Sequence, residues 1–148
     1  MIAVIQRVEK SGVIIDEKEY SSIGKGLLVL LGIKKGDTEK NAGLLAKKII
    51  DLRIFQDING KMNLSLKDIK GELLVISQFT LCTDNEAGGN RPSFTNAEEP
   101  VKAKDLYEDF IRELKNIYPA EKIKSGIFGA EMNVNLINKG PVTIILEK

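Results

Sequence analysis

The sequence predicts a single α/β domain, and three observations carry that prediction. Aliphatic and β-branched runs bounded by glycine or turn residues recur from one end of the chain to the other, at residues 2–8, 13–15, 26–33, 72–76 and 142–146. Two longer stretches between them place apolar residues at helical spacing instead. No internal repeat, low-complexity tract or break in composition divides the 148 residues. Residues 1–148 therefore read as one domain, long enough to bury about two-thirds of the surface its unfolded chain exposes.

From the N-terminus, Ile2 to Val8 and Val13 to Ile15 are short strands separated by a Lys10-Ser11-Gly12 turn, an opening hairpin. GLLVLLGI, from Gly26 to Ile33, is apolar at every position between its glycines, as a central strand buried on both faces must be. Asp37 or Thr38 caps a helix whose buried side is Ala42, Leu45, Ile49 and Leu52 and whose wet side carries Lys40, Lys47 and Lys48; Gly43 weakens it without ending it. A loop with Asn59-Gly60 and a short polar stretch lead into ELLVISQFTLC, Glu72 to Cys82, which begins as another buried strand. Thr83 to Asn96 is a long irregular segment rich in Gly and Asn, the kind of loop that carries function. Pro100 suits the first turn of a helix whose stripe of Ala103, Leu106, Phe110, Leu114 and Ile117 stops at Pro119. Met132 to Asn138 then alternates, and Gly140-Pro141 separates it from Val142 to Leu146, giving strand, corner, strand.

Composition excludes several classes of function. With 43% hydrophobic and 29% charged residues the chain is of the soluble globular type, and no apolar run approaches the roughly 20 residues that span a bilayer. Gln6 and Arg7 fall where a signal peptide needs its apolar centre, so the N-terminus reads as a strand and the protein as cytoplasmic. One cysteine, Cys82, rules out an internal disulfide, and without histidine a metal would find only carboxylates; neither metal nor cofactor is expected. Lys and Arg number 22 against 21 Asp and Glu, so no overall field draws in nucleic acid, and any RNA contact is local. The lack of histidine also removes the usual base near neutral pH.

Three stretches carry polar or backbone-special residues that a minimal fold does not require: SQFT at Ser77 to Thr80, RPSF at Arg91 to Phe94, and NKGPVT at Asn138 to Thr143. Taken singly, each has an ordinary reading. Ser77 and Gln78 can satisfy stray backbone groups at a strand end, and Thr80 can be a strand residue. RPSF can be a loop turning into a helix, Cys82 a small hydrophobe, and Gly140-Pro141 a turn.

Together these stretches carry more. QRV (Gln6 to Val8), GLLVLLG, LRIF (Leu52 to Phe55), KMN (Lys61 to Asn63), SQFTL, RPSF, FGAEM (Phe128 to Met132) and NKGPVT, in that order, closely resemble the D-aminoacyl-tRNA deacylase family along the whole chain. The resemblance implies a three-layer α/β/β fold, sheets forming a barrel-like core with two main helices, and a homodimer. The implied activity is hydrolysis of the ester between a D-amino acid and the 3′ terminal adenosine of tRNA, with mischarged glycyl-tRNA as a second substrate and free D-amino acid and tRNA as products. It implies catalysis at Ser77, Gln78, Phe79 and Thr80. Substrate binding and chiral selection fall to Gly140, Pro141, Asn138, Thr143, Met132 and Arg7, with a cis Gly140-Pro141 reaching into the partner's active site. For Arg7 two readings stand: a clamp on the Gly-Pro carbonyls, or an exposed strand arginine.

Such a site suits a chain without histidine. An aminoacyl ester is already activated, so its hydrolysis needs an oxyanion hole and an oriented water more than a strong base. The backbone N–H groups of Phe79 and Thr80 can supply the first, and the ribose 2′-hydroxyl can position the second. Thr80 as a nucleophile is the competing route. Two departures from the family pattern stand out. Lys139 replaces a residue more often acidic, and the loop CTDNEAGGN lacks the usual Lys and Arg, so tRNA phosphate contacts are expected from Arg91, Lys102 or Lys104 instead. Two other functions remain: a non-catalytic tRNA-binding quality-control module, and a small-ester hydrolase using Thr80 or Cys82.

Overall fold

The structure, a computed structural model, describes residues 1–84 and 90–148; the centre of the CTDNEAGGN loop lies outside the described residues. Among the described residues, eight strands and three helices form one mixed α/β domain: β1 (Ile2–Ile15), β2 (Lys18–Ile23), β3 (Gly26–Gly32), α1 (Glu39–Ile50), β4 (Phe55–Gln56), β5 (Met62–Leu64), α2 (Leu66–Ile69), β6 (Glu72–Ser77), α3 (Pro100–Ile117), β7 (Ile123–Ser125) and β8 (Asn133–Glu147). β1 organises the sheet. One of its edges takes β3 antiparallel along Ile2–Val8 and then β2 along Ser11–Ile15, while the other takes β8. β6 lies parallel beside β3, and β7 parallel beside β6. The sheet curls until Ser21 Oγ on β2 donates to the Ser125 carbonyl on β7 at 3.0 Å, so the core is a nearly closed barrel.

The double burial of β3 and β6 explains their unbroken apolar runs. Leu27, Val29, Leu31, Leu73 and Val75 face α1 and α3, while Leu28, Leu74 and Ile76 point into the curl with Val8, Val13 and Ile23. Gly26 has no room for a side chain, since a Cβ would lie 1.8 Å from the Glu72 carbonyl oxygen on the neighbouring strand.

Thr38, not Asp37, caps α1, with Asn41 Oδ1 accepting the Thr38 N–H at 2.9 Å. Asp37 turns inward to accept the Lys34 N–H and the Met1 ammonium. The apolar stripe of α3 is as expected through Leu114, but Ile117 is exposed and Tyr118, its hydroxyl on the Gly71 carbonyl, continues the buried side.

Two sequence expectations need correction. The opening hairpin does not turn at Lys10-Ser11-Gly12: β1 runs straight through, Ser11 is buried with its hydroxyl on the Asn135 carbonyl, and the chain reverses at Asp16-Glu17, both at positive φ. Pairing with β8 along nearly its full length keeps β1 extended where local turn propensity would bend it. The C-terminus is likewise a single strand without a corner. Gln6 opposes Thr143 and Val8 opposes Asn138, so four residues, 139–142, stand against Arg7 alone. The chain bulges out of the sheet there and rejoins it.

Candidate functional site

β6 delivers Ser77 to the end of the sheet, where the Gln78 N–H makes a last bond to the Leu31 carbonyl at 2.8 Å. The chain then winds into a 3-10 turn, Phe79–Cys82, so Thr80 is not a strand residue. The first bond of that turn runs from the Leu81 N–H to the Gln78 carbonyl, 3.2 Å. The N–H groups of Phe79 and Thr80 precede it, and the turn itself uses neither, as at any helical start. Gln78 Nε2 donates to Thr80 Oγ1 at 2.5 Å, tying the two side chains together across the turn.

Ser77, Gln78 and Phe79 form one wall of a cleft of about 500 Å³. Phe128, Met132, Glu98 and the first turn of α3 also line it. Its size and apolar lining with a few polar groups are those of a small-ligand site. Gly126 admits Met132, since a Cβ there would lie 2.5 Å from the thioether sulfur. Phe79 is 60% exposed, and its ring meets Phe94 of RPSF edge-on at 5.1 Å. RPSF therefore does not begin a helix; α3 starts at Pro100, and RPSF lies back across the turn, with the Asp84 N–H on the Ser93 carbonyl.

A side-chain nucleophile finds little support. The chain holds no histidine, and the neighbour of Thr80 Oγ1 is an amide donor, so no base stands ready to take its proton. Cys82 is buried with Sγ on the Ile33 carbonyl, and burial pushes its thiol above the usual range, which works against a reactive thiolate. Glu98 is held below the usual carboxylate range by its hydrogen bond to Lys102 at 2.6 Å. Lys104 lies 3.8 Å from Glu108, and Arg91 is exposed.

The second group gathers at the β8 bulge. The Gly140-Pro141 peptide is cis, and Gly140 has a φ of 131°, a conformation that L side chains rarely adopt. Arg7 is 8% exposed, so the reading of an exposed strand arginine is wrong. Its Nε donates to the Lys139 carbonyl at 2.9 Å and its Nη1 to the Ile54 carbonyl at 2.5 Å. It thus grips the residue before Gly140, not the Gly-Pro carbonyls, and ties the bulge to the chain entering β4. Asn138 bonds to Gln6, Val142 and Thr143. Gln6 and Phe128 fall within the motifs QRV and FGAEM, but their residue types point to no role there; Ile54 acts through its backbone and leaves no side-chain signal.

Within one chain the structure brings Ser77, Gln78, Phe79 and Met132 together and keeps Arg7, Asn138, Gly140, Pro141 and Thr143 apart from them. Ser77 pairs with Leu31, Leu31 with Ala3, and the bulge stands at Arg7, four residues farther along β1 and one strand beyond. Three strand spacings and four residues put the two groups on the order of 15–20 Å apart in the curled sheet.

Known proteins resemble this chain over its full length. The family model described as D-Tyr-tRNA(Tyr) deacylase matches residues 4–147. A protein of Persephonella marina named D-aminoacyl-tRNA deacylase is 56% identical over 147 residues, 99% of this chain and 97% of its own. One of the same name from Aquifex aeolicus is 54% identical, with the same shares covered. A solved structure described as c-Myc DNA Unwinding Element Binding Protein has a TM-score of 0.95 at 42% identity, over 100% of this chain and 99% of that one. Another, described as a probable eukaryotic D-amino acid tRNA deacylase, has a TM-score of 0.83 at 14% identity over 98% and 97%, a likeness of fold.

Proposed function

Because the chain belongs to the D-aminoacyl-tRNA deacylase family, hydrolases of aminoacyl-tRNA esters, we propose that it removes D-amino acids, and mischarged glycine, from tRNA by backbone catalysis at a site shared between two subunits. The observation that carries the reading is the pair of N–H groups at Phe79 and Thr80, left unused by the turn that borders the cleft. Placed 2.7–3.1 Å or so from a developing oxyanion, such donors contribute about 10²–10³ each in rate. Ser77 and Gln78 fix the turn and meet the terminal nucleotide. The ribose 2′-hydroxyl beside the ester orients the attacking water, so no protein base is needed.

Selection against L substrates falls to the bulge. Fixed backbone atoms at Gly140-Pro141 accept hydrogen bonds from the substrate ammonium and leave no space where an L side chain would project, whatever that side chain is. Glycine has no side chain to exclude and passes. The scissile carbonyl and the chiral carbon are neighbouring atoms, whereas the two groups lie on the order of 15–20 Å apart in one chain. Both can act on one substrate only if the bulge comes from a second copy. An open edge supports this: among the described residues β8 pairs with β1 alone, and Ile137 and Ile145 on it are 51% and 66% exposed.

Complementation tests the shared site. Gly140→Ala damages the selective wall, and Thr80→Pro removes one oxyanion donor; each homodimer is expected to be nearly inactive on D-aminoacyl-tRNA. Mixed and allowed to exchange subunits, half the dimers are heterodimers with one intact composite site of two, so about a quarter of wild-type activity returns. No return after confirmed subunit exchange overturns the shared site. Failure of the wild type to hydrolyse D-aminoacyl-tRNA overturns the activity and leaves the tRNA-binding module standing.

A further inference from the structure

Residues 139–142 leave the sheet between two anchors, and Arg7 accounts for the first, at the Lys139 carbonyl. The second is the carboxamide of Asn138, whose Oδ1 accepts the Val142 N–H at 3.0 Å and so spans the bulge from entry to exit. A backbone N–H can only donate, so the amide oxygen must face Val142 and Nδ2 must face the other way. There Nδ2 donates to Gln6 Oε1 at 2.8 Å and lies 3.4 Å from Thr143 Oγ1. Gln6 sits on β1, within the regular ladder opposite Thr143.

We infer that Asn138, braced by Gln6, is a positioning residue that holds the chirality-reading backbone of Gly140 and Pro141 in place, and that it does not itself contact the substrate. The inference rests on the reading of that backbone as the selective wall. Its physical basis is that four residues opposite one have lost the ladder bonds that normally fix a strand. With the Val142 anchor removed, the segment is held from the sheet side at Lys139 alone and can swing about it. A wall that rejects one hand by the space of a side chain fails when its atoms shift by about 1 Å.

The test uses the full chain with Asn138→Ala and Asn138→Asp. Alanine removes the bonds to Val142, Gln6 and Thr143. Aspartate keeps an acceptor for Val142, and Gln6 can turn its amide so that Nε2 donates to the carboxylate. Three readouts are taken: hydrogen exchange at the Val142 amide, and single-turnover hydrolysis of a D-aminoacyl-tRNA and of its L counterpart. Loss of one neutral hydrogen bond predicts exchange about 3- to 10-fold faster in Asn138→Ala, with the D-to-L rate ratio falling by a similar factor. Asn138→Asp returns both toward wild type. Tyr118→Phe, which loses the hydroxyl bond to the Gly71 carbonyl far from the bulge, lowers stability without moving the ratio, as any purely structural role would. If Asn138→Ala speeds exchange at Val142 and the ratio stays at the wild-type value, the positioning role is overturned and the reading of Gly140-Pro141 survives. A wild type that hydrolyses both hands alike overturns that reading and this inference with it.

Discussion

Gly140→Ala replaces one hydrogen by a methyl at the tightest point of the bulge. The new Cβ would stand 2.7 Å from Arg7 Nη2, 2.9 Å from Val142 Cγ2 and 3.2 Å from the Val142 nitrogen, so something must move. The guanidinium is not a free side-chain end; it is 8% exposed and bonded to the Lys139 and Ile54 carbonyls. Breaking one such charge-assisted bond costs about 1.5–3 kcal/mol. Alanine at a φ of 131° adds about 1–3 kcal/mol of strain unless the backbone rotates away. The cheapest response is a displaced bulge, at about 2–4 kcal/mol, with the core untouched. Single-turnover hydrolysis of D-aminoacyl-tRNA is then expected to fall by about 10²-fold, the effect of a misplacement near 1 Å, and the urea midpoint to fall with it. A lowered midpoint with a rate within about threefold of wild type would show that the position of the bulge does not matter to the reaction. An unchanged midpoint would refute the packing argument itself.

Two further predictions address the chemistry at the turn. Thr80→Ala should keep most of the single-turnover rate, whereas Thr80→Pro, which removes an N–H that the turn does not use, should lose about 10²–10³; an inactive Thr80→Ala would make the side chain the catalyst. Cys82 should resist iodoacetamide at pH 8 while the protein is folded. Because burial raises its folded pKa, its contribution to stability is fully present below the unfolded thiol's range and is lost as pH rises from there through the raised folded value, so urea midpoints should fall more between pH 7 and pH 10 in the wild type than in Cys82→Ala.

What was legible in the sequence followed from patterns that the fold reads directly. The apolar runs of β3 and β6 announced strands buried on both faces, and the stripes of α1 and α3 announced the helices that cover one side. The errors came where tertiary pairing overrode local signals. Lys10-Ser11-Gly12 has turn chemistry, yet β8 lies along it and holds it extended; Gly140-Pro141 looks like a corner, yet β1 captures the chain on both sides of it. The turn motif SQFT was visible as polar residues ending an apolar strand. Its partners Phe128 and Glu98 lie far away in sequence; the pairing of β7 with β6 carries Phe128 to the cleft, and the bond from the Glu98 N–H to the Ile33 carbonyl carries Glu98 there. Burial of Arg7 was equally hidden, because the carbonyls that satisfy it belong to Lys139 and Ile54 and carry no residue-type signature.

The separation of the two groups bears on more than geometry. Oxyanion donors do not distinguish hands: the N–H groups at Phe79 and Thr80 would stabilise the tetrahedral intermediate of an L-aminoacyl ester as well as that of a D-aminoacyl ester. On the shared-site reading, a lone chain would carry the oxyanion donors without the wall, lacking both the groups that hold the substrate ammonium and those that reject the L hand. On that reading dimerisation would have to be strong enough that complete sites prevail at working concentration. The long free edge of β8, 15 residues that include the bulge itself, is suited to that demand. On the same reading it would join the element that sets chirality to the element that holds the subunits together, so a subunit that lets go would also withdraw the wall from its partner's cleft. Catalysis and selection would then come and go together, with the exposed Ile137 and Ile145 on that edge favouring association.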